Sequence, residues 1–441
     1  MPSVLRCAGC GWTPPDAEPY PFRCANARSG DDVDHVIGRA LDSGRVRWPS
    51  GDEPNPFVRY RDLFHSYHVG RTHGMRDADY VELVDRLDKA VAEVDGHGFE
   101  ITPFFRSESL GEGSDFDRAG GVWIKDETGN VSGSHKARHL MGLAIHLEVV
   151  EQVDLASEGG VRPLAIASCG NAALAAAVVA RAMKRKLDVF VPTWADPPVI
   201  EKLEDLGARI TVCPREEGVS GDPTYHRLQE AIGDGAIPFT CQGPDNGLTI
   251  EGGKTIAYEI ASQVRASGDE LDSIFIQVGG GALASAVIQG LNEAVELGAL
   301  ERMPQVFTVQ TEGGHPLKRA YDCLLRKVAS SKDFQRELEY ARTHRSEFMW
   351  PWEEEPKSIA TGILDDETYD WYAVVRGMVE TGGRPIVVSE EQLRKANELA
   401  RPASGIDADH TGTAGLAGIL ATGSHGDQRG AVLFTGTRRG S

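Results

Sequence analysis

Short apolar runs alternate with longer stretches of helical periodicity through most of this chain. Residues 121–125 (Gly-Val-Trp-Ile-Lys) look like a strand end, and after a polar turn residues 139–150 are apolar-periodic. Residues 163–168 predict a buried strand, followed by an alanine-rich helix to Met183. Residues 187–192 predict a strand, 197–206 a helix closed by Gly207, and 208–213 a further strand. The order repeats downstream, with a strand-like piece at 237–240, a helix after Gly253, a strand at 273–278, an apolar helix to Ala294 and a strand at 305–310. Helices at 391–400 and from Thr411, then a strand at 430–435, close the pattern. Apolar strands of this kind alternating with helices predict parallel sheets covered on both faces.

The first hundred residues read differently. Residues 31–100 are acidic and mostly helical in pattern, with Val81, Val84, Leu87 and Val91 on one stripe. His65, His68 and His73 do not share a helical face and read as ordinary polar residues. Residues 1–30 carry Cys7-Ala-Gly-Cys10-Gly and then Cys24. Two thiolates spaced Cys-x-x-Cys reach one metal from a tight turn, so the segment resembles half of a zinc ribbon. Cys24 is the candidate third ligand, and only His35 is placed to complete the set; a metal-free thiol cluster is the alternative. Thr102-Pro103-Phe-Phe opens the next unit as extended chain.

Composition narrows the class. The chain has 441 residues, with 46 Lys+Arg against 66 Asp+Glu and a net charge of −20. That length predicts two or three domains. The acidity argues against nucleic acid or anionic membranes as partners. No run of roughly 18 apolar residues predicts a membrane span, and the first residues lack a signal-peptide pattern. Seven scattered cysteines predict reduced thiols and a cytoplasmic location. Residues 319–357 are highly charged, end in Met349-Trp350-Pro-Trp352, and read as an insertion or partner surface.

Three strand–helix junctions carry candidate chemistry. Lys136 follows a glycine-containing turn and opens a helix, where a lysine can anchor an aldehyde cofactor; a solvated surface lysine is the plain alternative. Gly279-Gly280-Gly281-Ala282-Leu283 follows a strand and opens a helix. Its backbone N–H groups suit one phosphate, and the spacing is neither that of a dinucleotide fingerprint nor of a nucleotide loop. Ser168-Cys169-Gly170-Asn171 stands where strand ends of a parallel sheet line a crevice, although Asn171 also suits a helix cap.

Together these stretches resemble the fold-type II pyridoxal-phosphate enzymes: the threonine synthase, serine/threonine dehydratase and tryptophan synthase β group. The resemblance rests on Lys125-Asp-Glu through Ser134-His135-Lys136-Ala-Arg138, then Ser168 to Asn171, Glu251-Gly-Gly-Lys254-Thr, Val278 to Leu283, and Leu433-Phe-Thr435-Gly436, in that order over about residues 100–437. It implies an α/β fold of two open, mostly parallel twisted sheets covered by helices, preceded by the cysteine-containing arm. Residues 101–145 and 255–441 would form a large cofactor-binding domain and 146–254 a small α/β domain.

The resemblance also implies roles. Lys136 would hold the pyridoxal 5′-phosphate aldehyde as a Schiff base and move protons at the substrate Cα. Asn171 would meet the ring oxygen, Gly279 to Leu283 the phosphate, and Thr435 the pyridine nitrogen. Ser134, His135, Arg138, Ser168, Cys169 and Gly170 would face the substrate. His135 stands where the group usually has Phe, and Cys169 where Ser or Thr is common. The N-terminal cysteines and the Thr435-Gly436 pair resemble threonine synthases, so elimination or replacement on an O-phosphohomoserine-like amino acid is the leading expectation, with Arg138, Lys254 and Arg106 as candidate phosphate partners. A serine/threonine ammonia-lyase giving a 2-oxo acid and ammonia is the alternative, and a non-catalytic binding protein on the same fold a third. His410 is a further candidate near the site, with a surface turn as the plainer reading. Family habit implies a homodimer, with Trp350 and Trp352 as an interface candidate.

Overall fold

Two parallel sheets realise the expected α/β architecture. The structure is a computed structural model and describes residues 1–28, 30–110, 121–156, 161–215, 221–422 and 428–439. An N-terminal arm pairs β1 (Ser3–Cys7) antiparallel with β2 (Ile37–Leu41). The strands that follow are β3 (Phe104–Ser107), β4 (Val122–Asp126), β5 (Leu164–Ala167), β6 (Leu187–Pro192), β7 (Arg209–Cys213), β8 (Ile237–Pro238), β9 (Ser273–Gln277), β10 (Gln305–Thr311), β11 (Pro385–Val388) and β12 (Gly430–Phe434).

The large sheet runs β11-β10-β9-β12-β4-β3 and the small one β7-β6-β5-β8. Every pairing is parallel except β3 against β4. β9 and β12 are buried at all five positions, as expected of central strands covered on both faces. β7 is the outer strand of its sheet and is largely exposed.

The helix Lys136–Gln152 is buried on nearly every side. It packs against the helix Thr249–Ser267 at unusually close range: a Cβ on Gly142 would lie 2.8 Å from the Gly252 Cα. Added Cβ atoms on Gly252 and Gly253 would collide with the Arg138 carbonyl and the His139 ring. This corrects the reading of a helix that starts after Gly253. The Glu251-Gly-Gly-Lys254 motif lies inside a helix already begun at Thr249, and its glycines form the seam between two helices. Glycine inside a helix costs about 1 kcal/mol relative to alanine, which the close approach of the two backbones offsets.

A buried charge network fixes this seam to the sheet. Arg138, with no solvent exposure, pairs with Glu127 at 2.7 Å and Glu259 at 2.5 Å. Lys125 donates to Glu259 at 2.6 Å and to the Thr102 carbonyl at 2.7 Å. Nearby, Lys254 and Arg39 share Glu293 at 2.8 and 2.7 Å, and Arg39 also meets Glu251. Burying so many charges is tolerable only because each has partners of opposite sign.

Other expectations resolve in detail. The boundaries expected at 145/146 and 254/255 fall within the two seam helices. In the helix Asp77–Asp95 the buried stripe is Tyr80, Leu83, Val84, Leu87 and Val91, with Val81 half-buried at its rim. The charged 319–357 stretch folds largely into the helices Pro316–Ser331 and Phe334–Ala341. Its tryptophans are engaged within the chain, Arg319 lying 3.9 Å above the Trp350 ring and 5.1 Å from that of Trp352. Among the described residues no helix is long and apolar enough to cross a membrane.

Candidate active site

Three adjacent strands deliver three of the sequence motifs to one edge of the large sheet. β9, β12 and β4 are neighbours in that order. β9 ends at Gln277 and runs into the glycine cluster; β12 ends at Phe434, one residue before Thr435; β4 ends at Asp126 and leads through a turn to Lys136. The lysine loop is zipped to the end of β12. His135 N–H donates to the Thr435 carbonyl at 3.2 Å, Thr437 N–H to the Gly133 carbonyl at 2.9 Å, and Ser134 bridges Gly436. Gly133, at φ +68°, adopts the left-handed conformation this turn requires.

Lys136 is half-buried at the first position of its helix, between two histidines. His135 Nδ1 lies 3.2 Å from the Thr435 carbonyl and His139 Nδ1 2.8 Å from that of Thr249. A carbonyl only accepts, so both Nδ1 atoms carry the proton and both Nε2 atoms are bare. Burial holds the His135 pKa well below the ordinary histidine value and that of His139 at about 3, with the Lys136 charge adding to both effects. Both rings are neutral. A neutral His135 ring, with its Nδ1 proton given to the Thr435 carbonyl, presents a bare Nε2. Ser134 Oγ and His135 Nε2 are buried and make no hydrogen bond among the described residues.

The glycine cluster is clamped by residues 363–370. Thr368 Oγ1 donates to the Gly279 carbonyl at 3.0 Å and Asp370 N–H to the Gly280 carbonyl at 3.0 Å. A Cβ on Gly280 would stand 2.9 Å from Tyr369, one on Gly281 2.9 Å from Thr368, and one on Gly279 would collide with the Asp365 carboxylate. Burial pushes the Asp365 pKa up to about 6, opposed by the Lys136 charge and by the Gly280 N–H, which favour its ionised form. Burial likewise raises Asp370 to about 7, with the Gly243 N–H and Lys136 opposing and Asp34 adding to the rise.

Thr435 is buried at the far end of β12. Gln277 Nε2 donates to its Oγ1 at 2.8 Å and lies within 3.2 Å of the Thr411, Gly412 and Leu433 carbonyls. Three carbonyls fix the amide orientation, because the amide oxygen would be repelled there. With Thr435 Oγ1 accepting, its own proton is free to donate. Asn171 opens the helix Asn171–Ala182 after Gly170, and Arg439 donates to its Oδ1 at 2.8 Å, leaving the amide N–H groups as donors toward the crevice. Gly436 lies against this amide: a Cβ there would sit 3.1 Å from Asn171 Nδ2. Cys169 has its thiol pKa raised by burial, and Asp222 and Asp365 raise it further.

Residues 97–436 match the family described as pyridoxal-phosphate dependent enzyme. The chain belongs to that family. Within it, the chain is 28% identical over 216 residues to an L-serine dehydratase of Saccharomyces cerevisiae, covering 47% of this chain and 62% of the yeast protein. It is 23% identical over 321 residues to a threonine synthase of Methanocaldococcus jannaschii, covering 72% of this chain and 68% of that one. The fold is similar to that of diaminopropionate ammonia lyase from Escherichia coli, with a TM-score of 0.57 at 16% identity, over 81% of this chain and 88% of the other.

The residues present fit this family's cofactor. The glycine cradle already receives one anionic oxygen group, the Asp365 carboxylate, where a phosphate would sit. Added Cβ atoms at Gly279, Gly280 and Gly281 would close it. Thr435 offers an oriented hydroxyl, Asn171 an amide donor and Lys136 an amine at a helix start.

The structure corrects several site expectations. Arg138 does not face substrate; it is consumed by Glu127 and Glu259. Lys254 is buried against Glu293, and Arg106 is exposed on β3, the edge strand. Arg138 and Lys254 are thus each committed to buried carboxylates. His410 is half-buried, and its neighbour Asp409 is the residue that reaches the site: it accepts from Gly412 N–H at 2.5 Å and lies 3.4 Å from a Gly436 Cβ position. Sequence reasoning also missed Gln277, Asp365, Asp370 and Arg439. The one local signal was the acidic run Asp365-Asp-Glu-Thr-Tyr-Asp370, which carries no motif of its own. Cys7, Cys10, Cys24 and His35 gather on the N-terminal arm.

Proposed function

We propose that this chain is a pyridoxal-phosphate dependent lyase that eliminates a neutral or cationic β-substituent from a small amino acid, in the manner of a serine/threonine ammonia-lyase. The observation that carries the reading is the charge around Lys136. Asp365 and Asp370 both feel the Lys136 charge, Asp365 also feels Asp222, and Arg138 and Lys254 are paired with buried carboxylates. A substrate bearing its own phosphate would meet carboxylates on entry. An uncharged hydroxyl or an ammonium group would not.

When bound, pyridoxal phosphate supplies an aldehyde for the substrate amine and a conjugated ring that withdraws electron density from Cα. This chain's residues would do the rest. Lys136 removes the proton at Cα. Thr435 offers a hydroxyl to the pyridine nitrogen; a hydroxyl does not favour a charged ring, and the weaker electron demand suits loss of a β-substituent. Ser168 to Asn171, at a helix N-terminus, receive the substrate carboxylate. Asp370, its pKa raised by burial to about 7, would hold a proton at neutral pH that it can give to the departing group. The enamine that leaves the site hydrolyses to a 2-oxo acid and ammonia.

A second reading has its own support: the match to threonine synthase extends over more of this chain than the match to serine dehydratase. One experiment separates them. Serine, threonine, 2,3-diaminopropionate and O-phosphohomoserine are supplied in turn to the cofactor-loaded protein, and 2-oxo acid, ammonia and phosphate are followed. The proposal expects 2-oxo acid with ammonia from at least one of the first three. Phosphate release from O-phosphohomoserine without 2-oxo acid from any of the others overturns it in favour of the threonine-synthase reading.

A further inference from the structure

Four potential ligands from three separated stretches of the N-terminal arm converge on one point. The sulfur atoms of Cys7, Cys10 and Cys24 and a ring nitrogen of His35 all lie within 4.8 Å of one another. Cys7 Sγ is 3.4 Å from His35 Nδ1, and Cys10 Sγ is 3.5 Å from Cys24 Sγ. Zinc–sulfur bonds of about 2.3 Å and zinc–nitrogen bonds of about 2.0–2.1 Å at tetrahedral angles put sulfurs about 3.8 Å apart and sulfur and nitrogen about 3.6 Å apart. The observed separations bracket that geometry. All three cysteines are free, and the Cys10–Cys24 separation is far beyond a disulfide bond.

The surroundings carry the hallmarks of a metal shell. Asp31 Oδ2 lies 3.0 Å from His35 Nε2. That carboxylate accepts a hydrogen bond from Nε2–H and leaves Nδ1, the atom facing the sulfurs, with its lone pair exposed, the arrangement that orients ligating histidines. Cys10 N–H donates to Cys7 Sγ at 3.5 Å and Asn26 Nδ2 to Cys10 Sγ at 3.6 Å, the bonds expected to soften thiolate charge. The Cys7–Cys10 turn closes with Gly11 N–H on the Cys7 carbonyl at 2.9 Å, so two ligands come from one knuckle.

We propose that Cys7, Cys10, Cys24 and His35 form a closed, tetrahedral, structural Zn²⁺ site. Soft thiolates with one imidazole and four protein ligands select zinc over hard cations and leave no open position for catalysis. Binding releases the three thiol protons and takes His35 as the neutral imidazole. The site holds together a strip that reaches the cofactor cradle. Next to His35, Asp34 accepts from Trp371 Nε1 at 3.2 Å, and Asp34 N–H donates to the Arg342 carbonyl at 2.8 Å. Trp371 follows Asp370, whose N–H holds the Gly280 carbonyl. The metal thus pins the arm against the loop that clamps the glycines.

The test is elemental analysis of the full-length protein purified without chelator, wild type beside Cys10→Ser and His35→Gln. Cys10 is exposed, so its substitution tests the site without disturbing the core. The proposal expects about one zinc per wild-type chain and a loss of most of it in both variants. Replacement by Co²⁺ should give thiolate-to-cobalt charge transfer and the visible bands of a tetrahedral ion. Removal of the metal should lower the melting temperature, and Zn²⁺ but not Mg²⁺ should restore it. Wild-type protein free of zinc, zinc content unchanged in Cys10→Ser, or a Cys10–Cys24 disulfide found by mass spectrometry would each overturn the assignment.

Discussion

His135 donates from Nδ1 to the carbonyl oxygen of Thr435 across 3.2 Å, joining the residue before Lys136 to the residue that follows β12. The same carbonyl also receives the His135 backbone N–H. The two ends of the site are therefore held in register by one side chain and two hydrogen bonds. His135 thus ties the loop before Lys136 to the end of β12, and burial and the neighbouring lysine charge keep its ring neutral.

Replacing His135 by phenylalanine should therefore cost about 1 kcal/mol of stability, the typical worth of one hydrogen bond, and leave the acid limb of the pH–rate profile where it was. Chemical denaturation and initial rates from pH 5 to 9 test this. Disappearance of the acid limb would show instead that His135 titrates in the reaction.

Lys136→Ala should abolish the absorption of the lysine-bound cofactor near the visible–ultraviolet boundary and lower kcat by about 10³-fold or more, since covalent anchoring and proton transfer fail together. The purified variant is scanned after incubation with excess pyridoxal phosphate and dialysis. A retained band would remove Lys136 from the role.

Asp365 is expected to compete with the cofactor phosphate. Its folded pKa, about 6, lies above the unfolded value of 3.8, so it is neutral in acid and ionised above pH 6. Its ionisation costs stability as pH rises from the unfolded value through the folded one. Asp365→Asn should bind pyridoxal phosphate about tenfold more tightly than wild type at pH 8, a difference of about 1.4 kcal/mol. At pH 5 the two should be nearly equal. Comparing them at each pH cancels the cofactor's own titration, and a ratio that stays flat between the two pH values refutes the competition.

Arg138 carries a different expectation. Arg138→Met leaves Glu127 and Glu259 buried without their guanidinium, with Lys125 alone to compensate. Breaking such a pair costs about 3–5 kcal/mol. The variant should unfold at markedly lower urea concentration, while the folded fraction keeps its KM. A raised KM with unchanged stability would return Arg138 to the substrate.

Local sequence determined the chemistry-bearing junctions. Ser168 to Asn171, Gly279 to Leu283 and Thr435 each follow the end of a parallel strand, and Lys136 opens a helix after the turn that follows β4; such junctions are legible because apolar runs and glycine turns are written in consecutive residues. Their order along the chain also carried the family. Tertiary structure decided what the charges do. Arg138 lies 121 residues from Glu259 and Lys254 lies 39 from Glu293. Nothing near Arg138 or Lys254 in sequence announces such partners, because ion pairing depends on which faces the folded helices turn toward each other. The same holds for Glu251-Gly-Gly-Lys254, which resembled a site motif and proved to be a helix seam, and for Asp365, which only the packing of residues 363–370 brings to the glycine cradle. The sequence named Cys7, Cys10 and Cys24, with His35 as the one fourth candidate; the fold brought the four together and set Asp31 beside His35.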